Sequence, residues 1–130
     1  MKPRFSKSKI RWAGSVLRND ESNPADLQLA HDALAYWRSA HEDPIDEMMR
    51  VLESSPIKGA VIASRLKRID TIRGKLRRAG QHHELDTMHD IAGCRIIVPT
   101  VENVYQVRDY LSQQANVTKM LDRIETPKSN

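Results

Sequence analysis

The sequence predicts a mixed α/β (α+β) domain in which a helical N-terminal segment precedes alternating strands and helices. Two observations support this fold class. Apolar residues recur every three or four positions through the first 55 residues, which is the period of an amphipathic helix. After Pro56 and Gly59 the period changes, and short β-branched runs alternate with helical stripes. Elements in this order form a sheet with helices packed on it.

Three helices are predicted in the N-terminal segment, residues 1–55. The first covers residues 7–17 and is capped by Ser6. Asn23 and Pro24 are typical of a helix start, and Asp43 with Pro44 repeats that signal for the third helix. The predicted buried residues of the second and third helices are Leu27, Ala30, Leu34, Trp37, Ile45, Met48, Met49 and Leu52.

The second unit, residues 60–130, is predicted to have the order β-α-β-α-β. The strands are expected at residues 60–67, 93–98 and 117–124. Between the first two, Ile69, Ile72 and Leu76 form the buried side of a helix that Gly80 can end. A stripe of valines from residue 101 predicts the second helix of this unit.

Composition limits the classes of protein to which the chain can belong. Its 130 residues suit one hydrophobic core, and 39% hydrophobic with 29% charged residues indicates a globular chain rather than a disordered one. No apolar run is long enough to span a bilayer, so we expect no membrane partner. The basic N-terminus lacks a following apolar stretch and Cys94 is the single cysteine, which favours a cytoplasmic location.

Positive charge is concentrated in the middle of the chain. Between residues 65 and 78 there are seven basic residues and one acidic residue, Asp70, within a chain of net charge +4. Such a patch favours polyanions, either nucleic acid or nucleoside polyphosphates, and charge alone does not choose between them.

Side chains from a strand and a helix are expected to converge at this patch. Because side chains alternate along a strand, Arg65 and Lys67 share one face, while Thr71 and Lys75 are four residues apart on the following helix. Together they would donate hydrogen bonds to a triphosphate such as that of ATP. Asp90, just before the next strand, is the best ligand for the Mg²⁺ that would accompany it.

A histidine-rich stretch offers a different candidate metal site. His82, His83 and His89 lie near Glu84 and Asp86, but their spacing fits no standard zinc pattern. A solvated loop is the favoured interpretation.

The segments RLKRIDTIRGKL and DIAGCRIIV resemble the (p)ppGpp synthetase domain of the RelA/SpoT family of alarmone synthetases. That family has Arg-x-Lys, then Ser or Thr, then Lys at intervals of four residues, and later Asp-Ile-x-Gly-x-Arg. The segments WRSAHEDP and DRIETPKSN are also similar to small stand-alone members. The resemblance implies a nucleotidyltransferase-like mixed sheet with flanking helices.

The resemblance also implies a reaction: transfer of pyrophosphate from ATP to the 3′-hydroxyl of GDP or GTP, releasing AMP. It assigns the ATP base and phosphates to Arg65, Lys67, Thr71 and Lys75, with Arg95 helping to position phosphates. Asp90 would be the catalytic residue that binds magnesium, and Lys128 matches a lysine near the acceptor nucleotide.

The sequence departs from the family pattern near its C-terminal end. Arg123 follows Asp122 where the family has an aromatic residue, and the sequence reaches Asn130 before the family's Gly-Tyr-x-x-x-His segment and a later glutamate. We therefore expect a truncated ATP-side half with an incomplete sheet, inactive alone. A second copy or another chain could then complete the sheet.

Two other functions remain open at this point. A related toxin-type synthetase would pyrophosphorylate the 3′-hydroxyl of tRNA instead of a free guanosine nucleotide. A non-catalytic module would bind a nucleotide or a nucleic acid without turnover. Steep weakening of binding with salt would indicate nucleic acid, whereas dependence on magnesium, Lys75 and Asp90 would indicate a nucleotide site.

Overall fold

The computed structural model describes residues 4–19, 21–78, 80, 82–114 and 124, and it confirms the α+β class with an N-terminal helical segment. The predicted strand at 117–124 lies outside the described residues except for Ile124. Within the described ranges no helix combines the length and hydrophobicity that crossing a membrane requires. The elements in chain order are α1 (Lys7–Arg18), α2 (Pro24–Ser39), α3 (Glu42–Glu53), β1 (Val61–Leu66), α4 (Ile69–Leu76), a 3₁₀ turn (Leu85–Thr87), β2 (Ala92–Ile97) and α5 (Val101–Gln114).

Two of the three predicted helix starts are confirmed. The Ser6 hydroxyl accepts a hydrogen bond from the Lys9 amide, and the Asn23 side chain accepts one from the Asp26 amide. The predicted start of α3 at Asp43 and Pro44 is wrong, because the helix begins at Glu42 and its N-cap residue, His41, makes no side-chain cap. The imidazole Nδ1 of His41 lies 2.7 Å from the Trp37 carbonyl oxygen instead.

The hydrophobic core combines residues from both halves of the sequence. Helices α1 and α2 pack against each other, and α1 also packs against α4 and the 3₁₀ turn. At Gly14 of α1 an added Cβ would lie 3.0 Å from Leu85 Cβ, so glycine permits this close approach. The largest fully buried side chains are those of Ile10, Leu34, Ile72, Leu76, Leu85 and Ile91.

Strands β1 and β2 form an antiparallel pair, with Val61 opposite Ile97 and Leu66 opposite Ala92. Helix α3 packs on this pair, and the Cys94 thiol donates a hydrogen bond to the Ile45 carbonyl there. Burial raises the pKa of the Cys94 thiol. The other side of the pair, called the open face below, carries six exposed residues: Val61, Ala63, Arg65, Gly93, Arg95 and Ile97.

Candidate functional site

Three of the predicted site residues form one charged cluster. The Lys67 ammonium donates a hydrogen bond to Asp90 Oδ2 at 2.6 Å, and the Lys75 ammonium lies 3.0 Å from both carboxylate oxygens. We call these three residues the Lys–Asp cluster. Lys67 comes directly after β1, Lys75 is on α4, and Asp90 precedes β2. Of the four side chains predicted to converge, Lys67 and Lys75 therefore meet at Asp90.

The backbone explains why Lys67 and Asp90 meet. The Lys67 amide donates to the Ile91 carbonyl at 2.6 Å, which extends the β1–β2 register by one residue beyond Leu66 and Ala92. This bond places Lys67 beside the residue that follows Asp90. A second bond holds the next peptide group, on the other side of the Lys67 Cα, because Arg38 Nε donates to the Lys67 carbonyl at 2.9 Å.

Packing of α4 directs Lys75 toward the same carboxylate. Ile72 and Leu76 are buried in the core, so the side of the helix that carries Thr71 and Lys75 is directed away from it. Lys75 reaches Asp90, whereas the Thr71 side chain is exposed. The structure thus brings Lys75 into the cluster and leaves Thr71 at the surface of α4.

The electrostatics of the cluster keep Asp90 ionised. Burial raises the pKa of Asp90, but hydrogen bonds and charge from Lys67 and Lys75 outweigh this effect and lower the pKa from 3.8 to about 2. The Asp90 side chain remains 45% exposed, while that of Lys67 is 9% exposed. A carboxylate that is charged at neutral pH therefore faces solvent from between two ammonium groups.

The two predicted arginines lie on the open face. Arg65 is paired with Gly93, and Arg95 is paired with Ala63, so the two guanidinium-bearing positions are diagonal neighbours. A hollow of about 380 Å³ is lined by residues of both strands, including these arginines. At Gly93 an added Cβ would meet no atom within 4 Å, which leaves the space opposite Arg65 open.

The remaining predicted positions have different outcomes. Lys128, expected near an acceptor nucleotide, lies outside the described residues. Asp86, from the histidine-rich stretch, forms a bidentate pair with Arg11 of α1 at 3.0 Å. No group of three or more His, Cys, Asp or Glu side chains among the described residues is arranged to hold a metal ion.

Sequence reasoning missed two residues of this region. Arg38 is far from the cationic patch in the sequence, and no motif marks it as part of the site. Gly93 was predicted only as a strand residue, although a glycine inside a strand can mark a site where a ligand approaches closely.

Comparison with known proteins identifies the family of the chain. A family model described as "Region found in RelA / SpoT proteins" matches residues 64–130, a range that includes all three residues of the Lys–Asp cluster. The chain is also 38% identical over 73 residues to "GTP pyrophosphokinase YwaC" of Bacillus subtilis (strain 168). That match covers 52% of this chain and 35% of the relative. Since the family model covers more than half of the sequence, the chain belongs to the family defined by the region found in RelA/SpoT proteins.

Proposed function

We propose that this chain binds magnesium ATP at the Lys–Asp cluster and the adjoining open face, as the donor side of an alarmone synthetase-like pyrophosphate transfer. The observation that carries the proposal is the meeting of Lys67 and Lys75 on one ionised, partly exposed carboxylate, Asp90. The family to which the chain belongs supports the reaction class.

The ammonium groups are suited to a triphosphate. Lys67 and Lys75 each have donors that now point at Asp90, and phosphate oxygens would accept from the same groups. Arg65 and Arg95, on the open face beside the hollow, offer planar guanidinium groups that can stack on a base or bind phosphate. The Thr71 hydroxyl is exposed on the same side of α4 as Lys75 and is assigned to the phosphates as well.

The described residues fit a magnesium ion that arrives with the nucleotide. Mg²⁺ in nucleotide sites is held by one or two carboxylates together with substrate phosphates and water. Asp90 has the required ionised and accessible oxygens. The ion, when bound, would supply Lewis-acid polarisation of the phosphoryl oxygens. Lys67 and Lys75 would align the phosphate chain and neutralise its charge.

The acceptor is assigned from the family alone. The matched Bacillus subtilis protein is named a GTP pyrophosphokinase, and we extend that name to propose GDP or GTP as the acceptor of the 3′ transfer here. Lys128 is proposed to lie near that acceptor.

Calorimetric titration with ATP tests the donor site. We expect binding with magnesium present, and at least a tenfold loss of affinity in Lys75→Ala because a charge-assisted contact to phosphate is removed. Arg73→Ala is the matched control, since it removes a cation from the same helix that lies near Asp70 rather than Asp90. Equal affinities for wild type and Lys75→Ala would refute the proposal. Binding of RNA that weakens steeply with salt and ignores Lys75→Ala would favour the nucleic-acid alternative.

Turnover is tested with the same protein. The chain is incubated with labelled ATP, magnesium and GDP or GTP, and the products are separated by chromatography. The prediction that the chain alone is inactive fails if a pyrophosphorylated guanosine accumulates. Labelled tRNA, used in place of the guanosine nucleotide, tests the toxin-type alternative.

A further inference from the structure

Arg38 of α2 holds the backbone of the lysine at the centre of the Lys–Asp cluster. Its Nε donates a hydrogen bond to the Lys67 carbonyl at 2.9 Å, in a partly buried position. The two residues are 29 positions apart in the sequence, so the contact depends on how α2 packs beside the end of β1. The sequence around Arg38 does not predict a role for it in the site.

The two peptide groups that flank the Cα of Lys67 are both held by hydrogen bonds. Its amide donates to the Ile91 carbonyl at 2.6 Å, and its carbonyl accepts from Arg38. With both groups held, the residue has little freedom to rotate about its backbone, and its ammonium is directed to Asp90 at 2.6 Å. Lys67 is 9% exposed, which is low for a lysine, so its position depends on these surroundings.

Two other arginines in the described residues form similar bridges, to carbonyls that do not belong to residues of the cluster. Arg18 of α1 donates to the carbonyls of Leu76 and His83, and Arg77 donates to the Leu17 carbonyl at 2.8 Å. These bridges tie α1 to the segments around α4. Arg38 differs from them because its acceptor belongs to a residue of the proposed ATP site.

We infer that Arg38 is a positioning residue for ATP binding and acts through Lys67. This inference rests on the proposed function, and it assigns Arg38 no contact with the nucleotide. Loss of the guanidinium leaves the Lys67 carbonyl without its donor, so the ammonium spends less time in the orientation that binds phosphate. The N-terminal helical segment thereby contributes to the proposed ATP site through the hydrogen bond from Arg38 to the Lys67 carbonyl.

Arg38→Gln tests the inference, with Arg18→Gln as the matched control. Both variants remove a partly buried guanidinium that bridges a helix to a backbone carbonyl. We expect Arg38→Gln to weaken ATP binding about tenfold and Arg18→Gln to leave it within about twofold. Urea unfolding of both variants measures their losses of stability, so an affinity change can be separated from partial unfolding. An unchanged affinity in Arg38→Gln, with wild type binding normally, overturns the inference.

A double-mutant cycle separates positioning from a general structural role. Arg38→Gln is combined with Lys67→Ala, and ATP affinity is measured for all four proteins. If Arg38 acts through Lys67, the double variant binds as weakly as Lys67→Ala alone. Additive losses would overturn the inference, because Arg38 would then act independently of Lys67.

Amide hydrogen exchange provides a readout that needs no nucleotide. In Arg38→Gln the Lys67 amide should exchange at least several times faster relative to the Ile72 amide of α4, while Arg18→Gln should not change this ratio. If wild type fails to bind ATP, the proposed function fails, and this ratio alone decides the positioning of Lys67. If the ratio of Lys67 to Ile72 exchange rates is the same in Arg38→Gln and wild type, Arg38 does not position Lys67 and the inference is overturned.

Discussion

Replacing Asp90 by asparagine should change both the affinity for metal-free ATP and the gain in affinity that magnesium gives. In the structure the Asp90 carboxylate occupies donors of both Lys67 and Lys75. It therefore competes with phosphate for these ammonium groups and repels the phosphate charge. Asp90→Asn removes the competitor, so metal-free ATP should bind more tightly. The same change removes the proposed magnesium ligand, so the gain in affinity that magnesium gives should shrink.

The size of the effect follows from the cluster geometry. The Asp90 oxygens lie 2.6 and 3.0 Å from the two ammonium nitrogens. A phosphate oxygen bound on the far side of an ammonium would then be about 5 Å from the carboxylate. Repulsion at that distance is about 3 kcal/mol for an effective dielectric constant of 20 and about 0.8 kcal/mol in water. Because the Asp90 side chain is 45% exposed, we expect a repulsion of about 1 kcal/mol, which corresponds to about a fivefold change in the affinity for metal-free ATP.

Titration calorimetry with ATP in EDTA, and again with excess magnesium, measures both effects. Asp70→Asn is the control for net charge, since Asp70 is on α4 with a side chain 95% exposed and pairs only loosely with Arg73 at 3.8 Å. We expect the control to change neither affinity by more than about twofold. If Asp90→Asn binds metal-free ATP no better than wild type, the carboxylate does not compete for the lysines and the electrostatic reasoning is wrong.

Three further predictions concern packing, access and pH. Gly93→Leu should reduce ATP affinity at least tenfold without lowering the urea midpoint, because its side chain would fill open space on the open face. Gly14→Ala should lower the free energy of unfolding by about 1–3 kcal/mol, since its Cβ would lie 3.0 Å from Leu85 Cβ. Gly74→Ala should instead stabilise α4 by about 0.5–1 kcal/mol, because no atom lies within 4 Å of the added Cβ. The stabilisation from ionised Asp90, whose pKa is lowered from 3.8 to about 2, is present above pH 4 and is lost as the pH falls toward 2. The difference in urea midpoint between wild type and Asp90→Asn should therefore shrink between pH 6 and pH 3.

The Lys–Asp cluster could be predicted because its residues lie in, or next to the ends of, regular elements whose periods are visible in the sequence. The alternation of a strand and the four-residue interval of a helix are local properties, and they pair Lys67 with Arg65 and Lys75 with Thr71. Asp90 was predicted from its position before an apolar strand. The antiparallel register, which sets Lys67 opposite Ile91, follows from pairing between distant segments and was visible only in the structure.

Contacts that depend on long-range packing could not be predicted from the sequence. Arg11 reaches Asp86 across 75 residues, and Arg38 reaches Lys67 across 29. Arginine side chains are long, and most of them are solvated, so sequence alone does not indicate which one finds a backbone carbonyl. The start of α3 was mispredicted for a related reason, because the His41 ring meets the preceding helix instead of capping its own.

The position of Lys75 depends on helices that contribute none of the predicted ligands. Helix α4 has eight residues, and a helix of that length is unstable in isolation. Its stability must therefore come from burial of Ile72 and Leu76, which belong to the same core cluster as Ile10 of α1 and Leu34 of α2. Loss of this packing would free α4 and separate Lys75 from Asp90, even with every charged residue retained. The N-terminal helices thus maintain the spacing of charges on which the proposed ATP site depends.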